Sequence, residues 1–310
     1  MAAVLSTNST IVRSSRPTTL PWSMRAAVAL GNLLAPSRIG QRAEHWFTSP
    51  LASSRQRAED SPLQGAQQST IEVDGERVVL YRWGAPERPL VLFSHGWSSF
   101  GLRVLPWVPA LLEAGYQVAS FDQIAHGRSS GRHATLPGFG RVLGAVARHL
   151  GPLEAIIGHS LGGAAVGMAL HQGAVARRAI LIAPPAEAAA AVRRFAARVG
   201  LGRRALRAMR QAVVRRAGLP LEQAAVEAQA PSLGIPALIV HDLADREVPW
   251  ADGERYARRW PDSRLLSVEG LGHHRIVGDG RVIEAGLEFL RGAEVGQRVV
   301  GTPNLDCGFA

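Results

Sequence analysis

Five short apolar segments, separated by helical stretches, constrain the fold more than any other feature of this sequence. They are Leu90–Ser94, Gln117–Phe121, Ala155–Ile157, Ala179–Ile182 and Ala237–Val240. Continuous apolar runs of this length are typical of strands that are covered on both faces. Helical patterns, for example over 139–150 and 161–172, lie between most of them. Strands that alternate with helices predict the α/β class, with a mostly parallel central sheet flanked by helices.

Further elements extend this pattern at both ends. Residues 71–73 and 77–83 alternate between apolar and polar like half-buried strands, and the turn Asp74-Gly75 separates them. After residue 250 the chain adds a helix over 252–260, a strand over 265–268 and a helix over 281–290. We therefore expect the α/β core to comprise residues 70–185 and 235–291.

The interval 186–234 interrupts the alternation because it contains no buried strand. Its sequence is rich in alanine and arginine, and it carries two helical stripes of apolar residues: Val192, Phe195 and Val199, followed by Leu206, Met209 and Val213. We predict an inserted helical lid over the C-terminal edge of the sheet, which is where open α/β sheets bind their ligands.

The two ends of the chain differ from the core. No acidic residue precedes Glu44, and residues 24–35 form one short apolar helical segment that Pro36 ends. We expect 1–69 to be an N-terminal extension with a disordered tip, one short helix packed outside the core and a polar linker over 53–69. An organelle transit peptide has a similar composition. Residues 292–310 are expected to be a C-terminal tail.

Composition excludes several classes of protein. Apolar residues make up 46% of the chain and charged residues 19%, so a sizeable core is available. The single cysteine, Cys307, excludes a disulfide framework and a thiolate zinc site within one chain. No apolar run approaches the roughly 18 residues that a bilayer span requires. We expect a cytoplasmic protein of undetermined oligomeric state.

The basic charge is distributed along the chain. All 35 basic residues are arginine, and the net charge is +10. Such a balance can indicate a polyanionic partner, but no nucleic-acid-binding motif accompanies it, so we expect no nucleic-acid partner. The absence of lysine together with abundant alanine is more typical of a coding bias than of a binding device.

Ser160 is the candidate nucleophile. It lies in Gly158-His-Ser-Leu-Gly-Gly163, directly after a predicted strand and before a predicted helix. This G-x-S-x-G pattern in a strand–turn–helix context is typical of a strained turn that exposes a reactive serine. Glycines are needed there because only a residue without Cβ lets neighbouring backbone pass so closely. A glycine-rich turn with an idle serine is the alternative, and the context favours the nucleophile.

An acid should follow the nucleophile in the chain, because a serine hydroxyl reacts only when an oriented base takes its proton. Asp242 and Asp245 both follow the strand 237–240. Asp242 stands at the tip of the strand, where an aspartate ordinarily caps a turn. Asp245 lies farther out on the loop and can reach a histidine above the sheet edge, so it is the predicted acid.

The base is expected after the strand 265–268, where the chain reads Gly272-His273-His274. His273 follows the glycine that lets the loop turn back over the serine. His274 is expected to point away and to pack or bind a carbonyl. The sequence therefore predicts that His273 is the base.

Two backbone amides are the predicted oxyanion hole. One belongs to Leu161, the residue after the nucleophile. The other belongs to Trp97, because Ser94-His-Gly-Trp97 follows the strand 90–94. A tetrahedral intermediate needs such preorganised donors, one after the nucleophile and one from an earlier loop.

These motifs together resemble the α/β-hydrolase fold superfamily, and in particular its bacterial-type serine hydrolases. His95-Gly96-Trp97 is similar to the His-Gly oxyanion segment of that superfamily. Residues 121–129 resemble its D-x-x-G-H-G-x-S stretch, with Ala125 where glycine is commoner. Gly158–Gly163 resembles its nucleophile elbow, Asp245–Pro249 its D-x-x-V-P acid loop, and Gly272-His273 its base motif. The resemblance covers roughly residues 70–291 and implies an α/β-hydrolase fold with a helical lid.

The resemblance also implies a reaction. We expect a serine hydrolase that cleaves a small carboxylic ester through an acyl-enzyme, with no cofactor and no metal. A thioesterase or a carbon–carbon bond hydrolase with the same triad is an alternative, and so is a non-catalytic binding or scaffold protein of the same fold. The related haloalkane dehalogenases and epoxide hydrolases carry aspartate where this chain has Ser160, which disfavours their chemistry.

Nine arginines lie between Glu187 and Glu222 with no acidic residue among them. They could attract an anionic substrate, such as a carboxylate or a CoA-type thioester, or they could contact an acidic membrane. The sequence favours a solvated outer face with the apolar stripes turned inward, so membrane-surface contact is not the favoured interpretation.

Overall fold

The computed structural model describes residues 21–299, and an eight-stranded sheet forms its centre. In chain order the strands are β1 (Gln67–Val73), β2 (Glu76–Trp83), β3 (Leu90–Ser94), β4 (Gln117–Phe121), β5 (Leu153–His159), β6 (Ala176–Ile182), β7 (Ala237–Asp242) and β8 (Ser263–Val268). Their spatial order is β1-β2-β4-β3-β5-β6-β7-β8. The β1–β2 and β2–β4 pairs are antiparallel and the other neighbours are parallel, so the predicted mostly parallel sheet is confirmed.

Helices connect and cover these strands. Within the described residues they are α1 (Trp22–Leu34), α2 (Pro36–Thr48), α3 (Ala52–Asp60), α4 (Val108–Glu113), α5 (Leu136–Leu150), α6 (Leu161–His171), α7 (Ala188–Val199), α8 (Arg203–Ala217), α9 (Val226–Gln229), α10 (Trp250–Arg259), α11 (Gly272–Arg275) and α12 (Gly280–Leu290). Short 3₁₀ turns lie at Gly101–Val104, Leu221–Ala224, Ala230–Ser232 and Ile276–Gly278. Between residues 21 and 299 no helix has both the length and the apolar composition of a membrane span.

Each face of the sheet is buried under its own layer of helices, because alternate side chains of a strand point to opposite faces. On β3, Leu92 belongs to the core that α5, α6 and α10 cover. Its neighbours Val91 and Phe93 belong to the opposite core, which α4 and α12 cover. This two-sided burial explains why the strands read as continuous apolar runs rather than as alternating ones.

The parallel strands place the site at one edge of the sheet. β3, β5, β7 and β8 run in the same direction, so the loops after their C-terminal ends meet there. The three loops that carry Ser160, Asp245 and His273 follow β5, β7 and β8 respectively. The topology therefore gathers residues that lie more than a hundred positions apart in the chain.

The N-terminal extension contains more helix than the sequence predicts. The expected single helix over 24–35 corresponds to α1, but α2 and α3 occupy the region expected to be connecting sequence and linker, and β1 begins at Gln67. Pro36 ends α1 and also begins α2, where the missing N–H costs nothing. The disordered tip that we expect lies in residues 1–20, outside the described range.

Helix α2 packs closely on α8 through small and polar residues. Gly40 packs so closely on α8 that a Cβ there would meet the Ala208 side chain at 2.7 Å. Next to it Ala43 is fully buried, and the largely buried Glu44 pairs with Arg216 of α8. Ile39, Ala43, Trp46 and Phe47 also recur at helical spacing on one face of α2, and the last three belong to or pack against the small core that α7 and α8 share.

The interval 186–234 is helical, as expected. On α7 and α8, Val192, Val199, Met209 and Val213 are buried. Phe195 and Leu206 are half-buried against the cluster to which Val192, Met209 and Val213 belong. Ala43 of α2 completes this cluster, so the insertion and the N-terminal extension share one small core. The function of this insertion as a lid stays a prediction.

Trp107 connects the start of α4 to the segment that follows His273. The indole is fully buried, and its Nε1–H donates to the carbonyl of Val277 at 2.7 Å. Its ring also approaches α12, where a Cβ on Gly286 would lie 2.6 Å from it. Val277 lies four residues after His273, so this tryptophan also fixes the segment that leaves the base.

Replacing Trp107 with alanine should lower the free energy of unfolding by about 3–5 kcal/mol, because the change leaves a large cavity and an unpaired carbonyl. Urea denaturation followed by far-UV circular dichroism measures this. Trp22→Ala is the matched control, since that indole is 83% exposed and its loss should change stability little. Equal effects of the two substitutions would contradict the assigned role of Trp107.

Candidate active site

Ser160 lies on a strained turn between β5 and α6. Its φ of 54° and ψ of −125° fall where L-residues are rarely found, at a cost on the order of 1–3 kcal/mol. The turn is held because the Ser160 amide donates to the carbonyl of Ile182 at 2.8 Å. A Cβ on Gly158 would lie 2.6 Å from the Gly162 carbonyl, and a Cβ on Gly162 would collide with the Ser94 carbonyl. Only glycine fits at these two positions.

The three predicted catalytic side chains lie in hydrogen-bonded series. Ser160 Oγ is 2.8 Å from His273 Nε2, and His273 Nδ1 is 2.7 Å from Asp245 Oδ2. The imidazole is largely buried, as is the carboxylate. The acid and base loops therefore bring both groups within hydrogen-bonding reach above the serine.

The Asp245 carboxylate is stabilised in its ionised form. Burial by itself would raise its pKa, but the nearby His241 imidazole, the hydrogen bond and electrostatic attraction of His273 and the Val248 amide outweigh burial and hold the pKa well below the usual value. An ionised carboxylate only accepts hydrogen bonds, so Nδ1 of His273 carries a proton. The lone pair of Nε2 then faces the serine hydroxyl.

Asp242 and His274, which the sequence did not favour as acid and base, make contacts outside the series. Asp242 accepts from the Ala244 amide at 2.9 Å and from the Leu271 amide at 2.7 Å, so it joins the acid loop to the base loop. His274 points away from the serine and pairs with Glu247 at 2.8 Å. That hydrogen bond raises the pKa of His274, despite its partial burial.

His159 supports the base from below, a role that sequence reasoning missed. Its Nε2–H donates to the backbone carbonyl of His273 at 2.8 Å, and the two rings are 5.1 Å apart. Complete burial and the nearby His273 lower the pKa of His159 to about 3. This imidazole is therefore neutral near pH 7 and acts as a fixed donor.

His241 supports the acid in the same way. Its Nε2–H donates to the Val248 carbonyl at 3.0 Å and lies 3.6 Å from Asp245 Oδ2. The Asp245 carboxylate also accepts from the amides of Glu247 and Val248 at 2.8 and 3.0 Å. The motif Asp245–Pro249 predicted the acid, but no sequence signal indicated this buried histidine on β7.

The segment that carries Trp97 lies against the serine. A Cβ on Gly96 would be 2.8 Å from Ser160 Cβ, so the two turns are in direct contact. His95 fixes this segment, because its Nδ1–H donates to the Gly96 carbonyl at 2.7 Å and its Nε2 accepts from the Gln123 amide at 3.0 Å. Neither the Trp97 amide nor the Leu161 amide donates to another of the described residues. The oxyanion role of both stays a prediction.

The stretch 121–129 has a structural role. Asp122 accepts from the Gly101 amide at 2.6 Å, from the Arg128 amide at 2.7 Å and from the Tyr81 hydroxyl at 2.7 Å. His126 contacts the Ile124 carbonyl at 3.0 Å through Nδ1. Over residues 21–299 no group of three or more His, Cys, Asp or Glu side chains is arranged to hold a metal ion.

The comparisons with known proteins concern the fold and the family. A family model described as "Alpha/beta hydrolase family" matches residues 91–285. None of the curated proteins compared with the sequence matches it.

Three solved structures illustrate the similarity. An esterase from Exiguobacterium antarcticum is 17% identical, covers 73% of this chain and 100% of its own, and has a TM-score of 0.57. A thioesterase domain from the curacin biosynthetic pathway is 20% identical over 73% and 99%, with a TM-score of 0.54. A structure described as a membrane phospholipase A and bacterial virulence factor is 19% identical over 87% and 97%, with a TM-score of 0.57. At these identities the likeness is one of fold.

The neutral, buried His159 makes stability depend on pH. It binds its proton near pH 3 in the folded chain and near the ordinary value of 6.5 in the unfolded chain, so the unfolded chain holds more protons between these values. The free energy of unfolding should therefore fall as the pH is lowered through this window. His159→Gln should make that fall shallower by roughly 1 kcal/mol per pH unit, the contribution of one proton.

Urea denaturation at about pH 5 and about pH 7 measures this slope. Glutamine can still donate to the His273 carbonyl, so the variant is expected to fold. His149→Gln, at an exposed position, is the control for loss of an imidazole. A slope that stays the same in His159→Gln as in the wild type would exclude this linkage.

Proposed function

The chain belongs to the alpha/beta hydrolase family, and on this basis we propose that it is a serine hydrolase that cleaves a carboxylic ester through an acyl-enzyme. The observation that carries the proposal is the continuous series from Ser160 Oγ to His273 at 2.8 Å and on to Asp245 at 2.7 Å. A base for the hydroxyl and an oriented acceptor for the base are the two requirements of a serine nucleophile.

In the first half-reaction Ser160 Oγ attacks the ester carbonyl carbon while His273 Nε2 takes the hydroxyl proton. The carbonyl π electrons move to oxygen, and the resulting oxyanion accepts from the amides of Trp97 and Leu161. The C–O bond to the alcohol then breaks as the imidazolium returns its proton to the leaving oxygen. The acyl group stays on Ser160.

In the second half-reaction water takes the place of the alcohol. His273 removes a proton from the water as its oxygen attacks the acyl carbon, and the second tetrahedral intermediate collapses with proton transfer to Ser160 Oγ. The carboxylic acid leaves and the serine hydroxyl is restored. Asp245 stays ionised throughout and stabilises the imidazolium that forms in both halves.

A thioester is the second candidate substrate class. The similarity to the curacin thioesterase domain favours it, because the same three side chains suffice when the leaving atom is sulfur. A series of nitrophenyl esters of increasing acyl length, assayed beside the matching acyl thioesters, distinguishes the two classes. For the best acyl group, the ester proposal requires that kcat/KM for the nitrophenyl ester exceed kcat/KM for the matching thioester. The excess must be larger than the difference in the uncatalysed hydrolysis rates of the two compounds.

Loss of the nucleophile or the base should abolish turnover. We expect Ser160→Ala and His273→Ala each to lower kcat/KM for the best nitrophenyl ester by at least about 10³-fold. His274→Ala is the matched control, because it removes the adjacent imidazole, whose partner is Glu247, and should change kcat/KM less than about fivefold. Equal losses in the two histidine variants would contradict the assignment of His273.

Covalent labelling tests the chemistry without a chosen substrate. A fluorophosphonate probe should label the wild-type protein at Ser160 and should leave Ser160→Ala unlabelled. Failure to label folded wild-type protein, while a ligand still raises its melting temperature, would replace the enzyme proposal with a binding or scaffold function.

A further inference from the structure

Helix α1 presents an apolar stripe to the solvent. Trp22 is 83% exposed, and Leu30, Leu33 and Leu34 are 58%, 78% and 70% exposed. At 3.6 residues per turn these side chains and Ala26 lie within an arc of about 120°. Exposed apolar side chains that occur singly are ordinary, but a contiguous stripe on one helix marks an interaction surface.

The opposite side of α1 holds the helix on the protein. Val28 is buried there, and Asn32 binds the turn between α7 and α8 at two points. Its side-chain amide donates to the Gly200 carbonyl at 2.8 Å, and its side-chain oxygen accepts from the Gly202 amide at 2.9 Å. The apolar stripe is therefore displayed on a fixed helix, and its C-terminal end meets the start of α8.

Helix α8 carries an arginine face that begins at this junction. Arg203, Arg204, Arg207 and Arg215 are exposed and lie within an arc of about 120°. Unlike Arg210 and Arg216, they have no ion-pair partner among residues 21–299. No acidic residue occurs between Glu187 and Glu222, so this face has no local neutralisation.

The charge of this surface restricts what can cover it. Residues 1–20 contain no aspartate or glutamate, so they cannot neutralise the arginine face. A second copy related by a two-fold axis would bring the same unpaired arginines together, which is unfavourable. Unpaired arginines beside an exposed apolar stripe fit an external surface that is apolar at one depth and anionic at another.

We propose that α1 and the arginine face of α8 dock the protein on a membrane surface rich in anionic phospholipid. The stripe Trp22, Leu30, Leu33 and Leu34 enters the boundary between headgroups and acyl chains, and the arginines bind headgroup phosphates. Stable attachment of a peripheral protein takes two such signals, one apolar and one basic. Each arginine near an anionic surface contributes about a fivefold increase in partitioning.

The test is co-sedimentation of the full chain with phosphatidylcholine vesicles and with vesicles in which about a third of the lipid is phosphatidylglycerol. A Ser160→Ala background prevents ester cleavage from altering the vesicles and makes the readout independent of the proposed enzyme chemistry. We expect partitioning into the anionic vesicles to exceed that into the neutral ones by at least about tenfold, and to weaken as salt is added.

Two double variants, each with a matched control pair, separate the basic signal from the apolar one. Arg203→Gln/Arg207→Gln should lower anionic-vesicle binding by about 25-fold, whereas Arg88→Gln/Arg148→Gln, which removes equal charge from exposed positions elsewhere, should lower it by less than about threefold. Leu30→Ser/Leu33→Ser should lower binding at least about tenfold, whereas Val175→Ser/Leu243→Ser, at other exposed apolar positions, should leave it unchanged. All four variants change exposed side chains, so unchanged melting temperatures verify folding.

Three results would overturn the proposal. Equal losses in the two arginine pairs would mean that overall charge, not this surface, drives binding. Binding that survives Leu30→Ser/Leu33→Ser would identify a polyanion site with no insertion into lipid. A concentration-dependent dimer of the wild-type protein that Leu30→Ser/Leu33→Ser dissociates would identify the stripe as a contact between copies.

Discussion

The close approach of three backbone segments around Ser160 is the constraint on which the rest of the structure depends. The end of β5, the start of α6 and the loop after β3 meet where a Cβ on Gly158 or Gly162 would strike a neighbouring carbonyl. This crowding holds Ser160 at a positive φ and raises its hydroxyl above the sheet edge. The buried parallel strands supply the rigidity that keeps such a strained turn in place.

The loops above that turn stabilise one another through polar side chains that would not touch the substrate in the proposed reaction. Asp242 joins the acid loop to the base loop, His159 holds the backbone of His273, and His241 lies beside Asp245. These groups are buried, and each makes at least one hydrogen bond to the acid loop or the base loop. The proposed catalytic geometry therefore depends on the same interactions that stabilise this end of the fold, as preorganisation of a site requires.

The N-terminal helices and the helical insertion form one unit rather than two appendages. Ala43 and Glu44 of α2 pack on α8, and Asn32 of α1 binds the turn that joins α7 to α8. An N-terminal segment thus covers an insertion more than 150 residues away in the chain. The same arrangement brings helix α1, which carries the apolar stripe, to the start of α8, which carries the arginine face.

Local features of the chain predicted the sheet and the three side chains of the proposed triad. Apolar runs, glycine spacing and chain order are local properties, and they predicted the eight strands as well as the choice of Asp245 and His273 over their neighbours. Tertiary structure alone decided the positions of α2 and α3, the supporting roles of His159, His241 and Asp242, and the junction at Asn32. The three supporting roles and the junction at Asn32 depend on contacts between distant polar groups, which leave no periodic signal in the chain. Their energies come from burial and from hydrogen-bond partners that exist only once the sheet has brought the loops together.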